Sequence, residues 1–168
     1  RPAPASGNVA LGAITGIDLS TAIPVPPRGA VVLSDVNSPL LGPKGAVAVF
    51  GAQKGVDAAA APEFESRLTQ WAERVDSPSA GRPGAGAAGG AAFGLLAWGA
   101  EIRSGAKAVA DALGLVERMR DSDAVITGEG SFDAQSGMGK VASVVTGTDP
   151  QLPAMLVALG WLATARRL

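Results

Sequence analysis

Two short apolar runs in the C-terminal third, separated by a polar loop and a helical stretch, constrain the fold most. Residues 124–127 and 154–159 are apolar and short enough for buried strands, and residues 140–146 suit a short helix between them. Two strands joined through a helix lie parallel, and the connection crosses over with a right hand. The sequence therefore predicts an α/β fold with a βαβ unit at this end of the chain.

The polar loop 128–139 follows the first of these strands, where ligands of parallel sheets bind. The loop carries Glu129 and Asp133, and Lys140 begins the helix after it. A carboxylate can bind Mg²⁺ or accept a hydroxyl proton, and a lysine at the positive end of a helix is disfavoured unless an anion is present. This pattern predicts a site for phosphate and Mg²⁺. The alternative is a solvated loop in which Asp133 pairs with Lys140.

The composition excludes several kinds of chemistry. The 168 residues include no cysteine and no histidine, which removes disulfides, thiolate nucleophiles, imidazole bases and the usual zinc sites. A hydrophobic fraction of 47% against 17% charged residues indicates a folded chain. A net charge of −1 gives no basic surface for nucleic acid or for an anionic membrane. Phosphoryl transfer depends on positioning and charge neutralisation, and it fits the remaining residue types best.

The sequence also favours a cytoplasmic protein. Its longest uncharged apolar stretch, residues 152–165, is shorter than the roughly 18 to 20 residues that span a bilayer. The first residues lack the apolar segment of a secretory signal. We therefore expect a cytoplasmic location.

A short apolar run at residues 30–33 is typical of a buried strand, and the loop 34–43 follows it. This loop contains Asp35 and Asn37, a carboxylate and an amide that can hold a substrate. The alternative is ordinary turn chemistry, because Asp, Asn, Pro and Gly are the usual loop formers. We expect residues 1–29 to be irregular, with at most one short helix or strand.

Helices are predicted at two further places. Apolar side chains recur at helical spacing over residues 61–75, and Pro62 is tolerated in the first turn. Ser104 is a typical N-cap for a helix that runs to Leu113, and Gly114 is typical of the residue that ends one.

The glycine-rich segment 84–90 precedes a helix that we expect to run to Trp98. Glycines there let backbone amides approach an anion at the start of the helix. The segment matches neither the P-loop nor the Rossmann pattern, and close packing against a neighbouring backbone explains it equally well. Gln53 and Lys54 form a weaker candidate, since an exposed lysine is usually only a surface charge.

Together these motifs resemble, in order and spacing, those of the class I glycerate kinases. The resemblance covers most of residues 30–160. It is carried by Asp35 to Leu40, Gly45-Ala46, Phe50-Gly51, Gln53-Lys54-Gly55, Gly84 to Gly90, Ser104-Gly105, Ile126 to Gly130, Asp133, Gln135-Ser136, Gly139-Lys140, and Pro153 with Gly160.

The resemblance implies Mg²⁺- and ATP-dependent phosphorylation of D-glycerate to 2-phosphoglycerate or 3-phosphoglycerate. The implied fold is a two-domain α/β fold in which one domain is inserted into a flavodoxin-like domain. Residues 1–119 are then expected to be part of the inserted domain, and residues 120–168 the C-terminal βαβ part of the flavodoxin-like one. The expected partners are D-glycerate and ATP, without nucleic acid or membrane, and a homo-oligomer is one arrangement left open.

The resemblance also implies roles for individual residues. Glu129, Asp133 and Lys140 are expected to be catalytic, with Glu129 and Asp133 as ligands of Mg²⁺. The residues expected to bind substrate or phosphate are Asp35, Asn37, Gln53, Lys54, Gly84, Gly86, Gly89, Gly90, Gly128 and Gly130.

The chain departs from the family pattern in three respects. Ser131 stands where the family has a basic residue, and Phe132 where it has an aliphatic one. The family's N-terminal motifs are absent, so we expect this chain to be the C-terminal part of the enzyme. The alternative function is a truncated, non-catalytic homologue that binds an anion or a nucleotide. A hydrolase is a more distant alternative, because nothing in the sequence supplies an activated nucleophile.

Overall fold

A computed structural model describes residues 7–75, 77–120, 122, 125–129, 145 and 154–158. The chain divides into two compact units, Arg1–Ile102 and Arg103–Leu168. The proposed assignment of residues 1–119 to an inserted domain and 120–168 to a flavodoxin-like domain concerns the whole enzyme and stays a prediction. No helix among the described residues is long and apolar enough to cross a membrane.

The first unit is mainly helical. Its α-helices and its first strand are α1 (Gly7–Leu11), β1 (Val31–Leu33), α2 (Ala46–Phe50), α3 (Ala61–Val75) and α4 (Ala91–Trp98). Three short 3₁₀ helices, Ala52–Lys54, Pro78–Gly81 and Ala87–Gly90, connect them. Strand β2 (Glu101–Arg103) pairs with β1, and the N–H of Glu101 donates to the carbonyl of Ala30 at 2.9 Å.

Helix α3 turns its apolar stripe towards the core of this unit, as its spacing predicts. Leu68 and Ala72 are buried, and Trp71 packs edge-on against Phe93 of α4 with the ring centroids 4.8 Å apart. The predicted helix over residues 61–75 is confirmed. The buried core around it comprises Leu40, Ala46, Leu68, Ala72, Ala85, Phe93 and Leu96.

Strand β1 forms where the apolar run predicts it, but it is not the buried strand that the sequence suggests. Val31 is 46% exposed and Leu33 is 52% exposed. Within the described residues β1 pairs with β2, and both of these side chains face partly into solvent. The expectation of a buried strand at residues 30–33 is therefore wrong in its burial and right in its position.

The loop after β1 is anchored to the core by Leu40. Leu40 is fully buried, its N–H donates to the carbonyl of Ala80 at 2.9 Å, and its carbonyl accepts from the N–H of Ala46 at 3.0 Å. A carboxylate oxygen of Glu65 on α3 accepts from the N–H of Gly42 at 2.6 Å. These contacts hold the loop against the helices rather than leaving it in solvent.

The second unit begins with two consecutive helices, α5 (Gly105–Ala112) and α6 (Leu115–Arg120). The hydroxyl oxygen of Ser104 accepts from the N–H of Lys107 at 3.2 Å, so Ser104 is the N-cap that the sequence predicts. Gly114 has a φ of +60°, the left-handed conformation expected where the first helix ends.

Strands β3 (Val125–Glu129) and β4 (Ala154–Ala158) pair in parallel, and Val125 lies opposite Ala154 in the register. The prediction of two parallel strands is confirmed. Strand β3 continues two residues beyond the predicted end at residue 127, because Val157 and Ala158 still provide backbone partners. Ile126 is 67% exposed, so the expectation that this strand is buried fails at that residue.

Candidate functional site

A cavity of 420 Å³ opens in the first unit between α1, α2, α3 and the glycine-rich turn before α4. The backbone of residues 88–91 forms one wall, and Lys54 contributes the one cationic side chain among the described lining residues. Asn8 adds an amide group. A lysine beside the exposed backbone of the glycine-rich turn makes this cavity the strongest candidate for a ligand site among the described residues.

The glycine-rich turn has an unusual backbone conformation. Ala88, Gly89 and Gly90 lie in the left-handed region, with φ values of +52°, +69° and +102°. Ala88 carries a Cβ, so its conformation is sterically unfavourable and must be held by the surrounding structure. Backbone strain of this kind is common at sites where a protein binds a ligand.

The backbone at both ends of the 3₁₀ helix Ala87–Gly90 is hydrogen-bonded. The N–H of Ala87 donates to the carbonyl of Gly84, and the N–H of Ala91 donates to the carbonyl of Ala87. Ala88 and Gly89 lie within this short helix, and both are exposed. Their backbone lines the same cavity as Lys54.

Lys54 is placed by the 3₁₀ helix Ala52–Lys54, which follows directly on α2. The N–H of Lys54 donates to the carbonyl of Gly51 at 2.9 Å, and Gly55, at φ +80°, ends the helix. The side chain is exposed, and it lines the cavity. The weak sequence signal at Lys54 therefore coincides with a cavity, whereas the neighbouring Gln53 does not line it.

The glycines of segment 84–90 differ in the space around the position that a Cβ would occupy. A Cβ on Gly84 would lie 2.9 Å from the side chain of Ile102, and one on Gly86 would overlap the carbonyl of Pro39. A Cβ on Gly90 would lie 2.9 Å from Leu40. A Cβ on Gly89 would meet nothing within 4 Å. Close packing thus accounts for Gly84, Gly86 and Gly90, and anion binding stays a prediction that packing does not replace at Gly89.

Asp35 and Asn37 are exposed in the loop after β1, and neither lines the cavity. The same loop nevertheless supports the glycine-rich segment. The carbonyl of Ser38 accepts from the N–H of Gly86 at 2.9 Å, and the carbonyl of Val36 lies against Gly84. The structure therefore brings together the two motifs through their backbones and leaves the roles of Asp35 and Asn37 as predictions.

The predicted catalytic loop falls mostly outside the described residues. Gly128 and Glu129 are the last two residues of β3, at the carboxyl end of the parallel pair. Gly130, Asp133 and Lys140 lie outside the described residues, as does most of the predicted helix 140–146. The metal and catalytic roles of Glu129, Asp133 and Lys140 stay predictions. Among the residues that are described, no three acidic side chains converge on a point that could hold a metal ion.

Most residues that line the cavity were not predicted as site residues, and Phe64, Trp71 and Asn8 are the largest or most polar of them. Phe64 and Trp71 line it from α3, and Asn8 lines it from α1. The helical spacing of α3 predicts that Phe64 and Trp71 are core residues. A residue that lines a cavity at the edge of the core shows the same apolar spacing as a residue inside the core, so the sequence does not separate the two. Nothing in the sequence distinguishes Asn8, whose side-chain amide donates to the carbonyl of Phe64 at 3.0 Å.

Among the described carboxylates of the first unit, Asp18 has a clearly shifted pKa, and it does not line the cavity. Hydrogen bonds from the side chain and the backbone of Ser20 lower the pKa of Asp18 below its usual value. Asp18 is fully exposed. Its shift reflects a local turn rather than a ligand site.

Helices and a parallel strand pair define an α/β protein, and its first unit has a cavity lined by Lys54 and the glycine-rich turn. The chain belongs to the glycerate kinase family, whose model matches residues 2–163. The α/β fold is shared with a solved structure, that of a putative glycerate kinase 2 from Salmonella typhimurium LT2. That structure matches 92% of this chain with a TM-score of 0.69 and 34% sequence identity, and the match covers 43% of its own length.

Curated relatives support the same family. The chain is similar to a glycerate 2-kinase of Escherichia coli K12, with 41% identity over 66% of this chain and 30% of the relative. It is also similar to a glycerate kinase of Haemophilus influenzae, with 36% identity over 76% of this chain and 35% of the relative. The chain therefore spans about a third of the length of the curated relatives it matches.

Proposed function

We propose that the protein is a glycerate kinase, which transfers the γ-phosphate of ATP to a hydroxyl group of D-glycerate. The product is 2-phosphoglycerate or 3-phosphoglycerate. The observation that supports this proposal is that Lys54 and the exposed backbone of Ala88 and Gly89 line one cavity. The match of residues 2–163 to the glycerate kinase family supports a kinase reaction for the protein.

The groups at the cavity suit phosphoryl transfer because they carry positive charge or partial charge and hold fixed positions. The ammonium group of Lys54 neutralises a phosphate oxygen, and the exposed backbone of Ala88 and Gly89 lies at the same cavity. Groups that are already oriented stabilise the charge of a phosphoryl group without reorganising during the reaction. The strained turn supplies this orientation.

The remaining roles in the proposal belong to residues of the predicted catalytic loop. Glu129 or Asp133 accepts the proton of the glycerate hydroxyl, and Lys140 binds a phosphate oxygen. Asp35 and Asn37 hold the glycerate. Both carboxylates are oxygen donors of the kind that Mg²⁺ prefers, so the residue types at Glu129 and Asp133 fit that ion. Bound Mg²⁺ would neutralise charge on the phosphates of ATP.

The proposal is tested with the full-length protein, purified and assayed for ADP release with D-glycerate and ATP. We expect ADP release that depends on both substrates and on Mg²⁺, and phosphorus NMR of the product identifies the hydroxyl that is phosphorylated. L-Glycerate serves as the control substrate. ADP binding without phosphate transfer to D-glycerate would instead support the non-catalytic alternative.

A cytoplasmic location, and the absence of nucleic-acid and membrane partners, remain part of the proposal. Fractionation of cells that express the full-length protein tests the location. The oligomeric state is measured on the same preparation by light scattering.

A further inference from the structure

The carboxylate of Glu65 is half-buried on α3, and its two oxygens differ in their surroundings. Oε1 accepts a hydrogen bond from the N–H of Gly42 at 2.6 Å. Oε2 is buried and has no hydrogen-bond partner within the described part of the chain. A buried carboxylate oxygen without a partner costs free energy, and an apolar side chain of similar size avoids that cost. Stability alone therefore gives little reason for a carboxylate at this position.

Gly42 lies in the turn that leads into α2. Its φ of +89° is left-handed, and a Cβ on Gly45 would lie 2.5 Å from the backbone of Leu41, so the turn is tight. The N–H of Gly45 donates to the carbonyl of Gly42 at 2.8 Å. Gly45 is also the N-cap residue of α2, and it has no side chain with which to cap the helix. The hydrogen bond between Gly42 and Glu65 therefore ties the start of α2 to the neighbouring helix α3.

Backbone hydrogen bonds connect this turn to Lys54. Within α2, the N–H of Val49 donates to the carbonyl of Gly45 at 3.0 Å. At the end of α2, the N–H of Gly51 donates to the carbonyl of Val47 at 2.8 Å, and the N–H of Lys54 donates to the carbonyl of Gly51 at 2.9 Å. Because these bonds join α2 to the 3₁₀ helix that follows it, a shift of the turn before α2 would also displace Lys54.

Helix α3 is a firm support for this arrangement. Leu68 is 2% exposed in the core of the unit, and Phe64 and Leu68 both line the cavity. Glu65 itself does not line it. We propose that Glu65 is a positioning residue of the kinase, which holds Gly42 and thereby sets the place of α2 and of Lys54 at the cavity. This inference rests on the proposed function, in which Lys54 neutralises a phosphate oxygen.

The test compares variants of Glu65 in the full-length protein. Glu65→Gln removes the charge and keeps an oxygen that can accept from the N–H of Gly42. Glu65→Leu fills a similar volume without an acceptor, and Glu65→Ala is a second variant without an acceptor. Glu73→Leu is the matched control, because Glu73 is exposed on the same helix and does not line the cavity. Thermal melts establish that each variant is folded.

The first measurement is kcat/KM with ATP as the varied substrate. Glu65→Leu and Glu65→Ala should lower kcat/KM about tenfold, because a displaced Lys54 loses its hydrogen bond to a charged phosphate. Glu65→Gln and Glu73→Leu should leave kcat/KM unchanged. In a Lys54→Gln background, Glu65→Leu should have almost no further effect, because a residue that acts through Lys54 has nothing left to position.

Hydrogen exchange gives a second measurement, one that does not depend on activity. The amides of residues 42–54 should exchange faster in Glu65→Leu than in Glu65→Gln, because the turn before α2 has lost its hydrogen bond to α3. Equal exchange rates in the two variants would show that this hydrogen bond does not hold the turn, and would overturn the inference.

Four kinetic or folding results would overturn the inference while the kinase function stands. They are an unchanged kcat/KM in Glu65→Leu and Glu65→Ala, an equal loss from Glu65→Leu with and without Lys54→Gln, a loss in Glu65→Gln as large as in Glu65→Leu, and failure of both variants without an acceptor to fold. The last result would make Glu65 a residue of stability alone. A wild-type protein that transfers no phosphate from ATP to D-glycerate would instead overturn the proposed function itself.

Discussion

Gly86 lies directly against the carbonyl oxygen of Pro39, so close that a Cβ on Gly86 would overlap it. The neighbouring carbonyl, that of Ser38, accepts a hydrogen bond from the N–H of Gly86 at 2.9 Å. The loop after β1 and the glycine-rich segment therefore fit together through their backbones. This contact holds in place the turn that forms one wall of the cavity.

The first prediction follows from that contact. Gly86→Ala should lower the free energy of unfolding by about 1 to 3 kcal/mol, because a methyl group must displace backbone rather than a flexible side chain. Gly81→Ala is the control, since Gly81 is exposed and a Cβ there meets nothing within 4 Å. Urea unfolding of both variants measures the difference. Equal free energies of unfolding for the two variants would show that the loop after β1 shifts to accommodate the added methyl group at little cost.

The second prediction concerns Gly89. Gly89→Ala places a Cβ on a left-handed residue, which should cost about 1 to 2 kcal/mol of stability. Gly29→Ala should cost the same, because Gly29 has a φ of +79° and open space around it. Only Gly89→Ala should also weaken ADP binding, by about tenfold, because Gly89 lines the cavity and Gly29 does not. Calorimetry with ADP on both variants separates the effect of backbone strain from the effect on binding. An unchanged ADP affinity in Gly89→Ala would show that the turn has a packing role and no role in nucleotide binding.

The third prediction concerns the predicted catalytic loop. In the full-length enzyme Asp133→Asn should lower kcat at least ~100-fold, as expected for the loss of a positioned acid or base, with little change in melting temperature. Asp111→Asn is the control, because Asp111 forms an exposed ion pair with Lys107 at 2.7 Å. It should cost about 0 to 1 kcal/mol of stability and leave kcat unchanged. A normal kcat in Asp133→Asn would remove Asp133 from the site.

The fourth prediction concerns the 168-residue chain by itself. Catalysis of phosphoryl transfer is distributed over many positioned groups, and the chain spans about a third of its curated relatives. We expect no measurable ADP release from this chain with D-glycerate and ATP, and normal turnover by the full-length protein. Comparable rates for the two preparations would show that all essential groups lie within these residues.

The sequence predicts best the elements that have a strong local signal. Helix α3 is predicted to the residue, because its apolar side chains recur at helical spacing over fifteen positions. Helix α2 is not predicted, since its five residues, Ala46–Phe50, are too few to show a period. Strand β2 is also missed, because its charged ends, Glu101 and Arg103, hide a strand of three residues.

For the site, the sequence identifies residue types but not which of them share a cavity. Lys54 has the appearance of an ordinary surface charge, and only the fold places it near Ala88 and Gly89. The packing role of Gly86 depends on Pro39, a residue distant in the chain. Contacts between residues distant in the chain depend on the tertiary structure. The sequence therefore predicts the glycine-rich segment but does not decide whether its glycines serve packing or ligand binding.

The parallel pairing of Val125 with Ala154 has a consequence for how the protein folds. The two strands are separated by a long connection. Their contacts stabilise the fold only after the chain has lost the conformational entropy needed to bring the ends of that connection together. We therefore expect β3 and β4 to join late, after α3 and the other local helices have formed. A chain that ends before β4 would leave the N–H and C=O groups of that edge of β3 unpaired. Such an edge can pair with a second molecule, so premature termination there would favour aggregation over refolding.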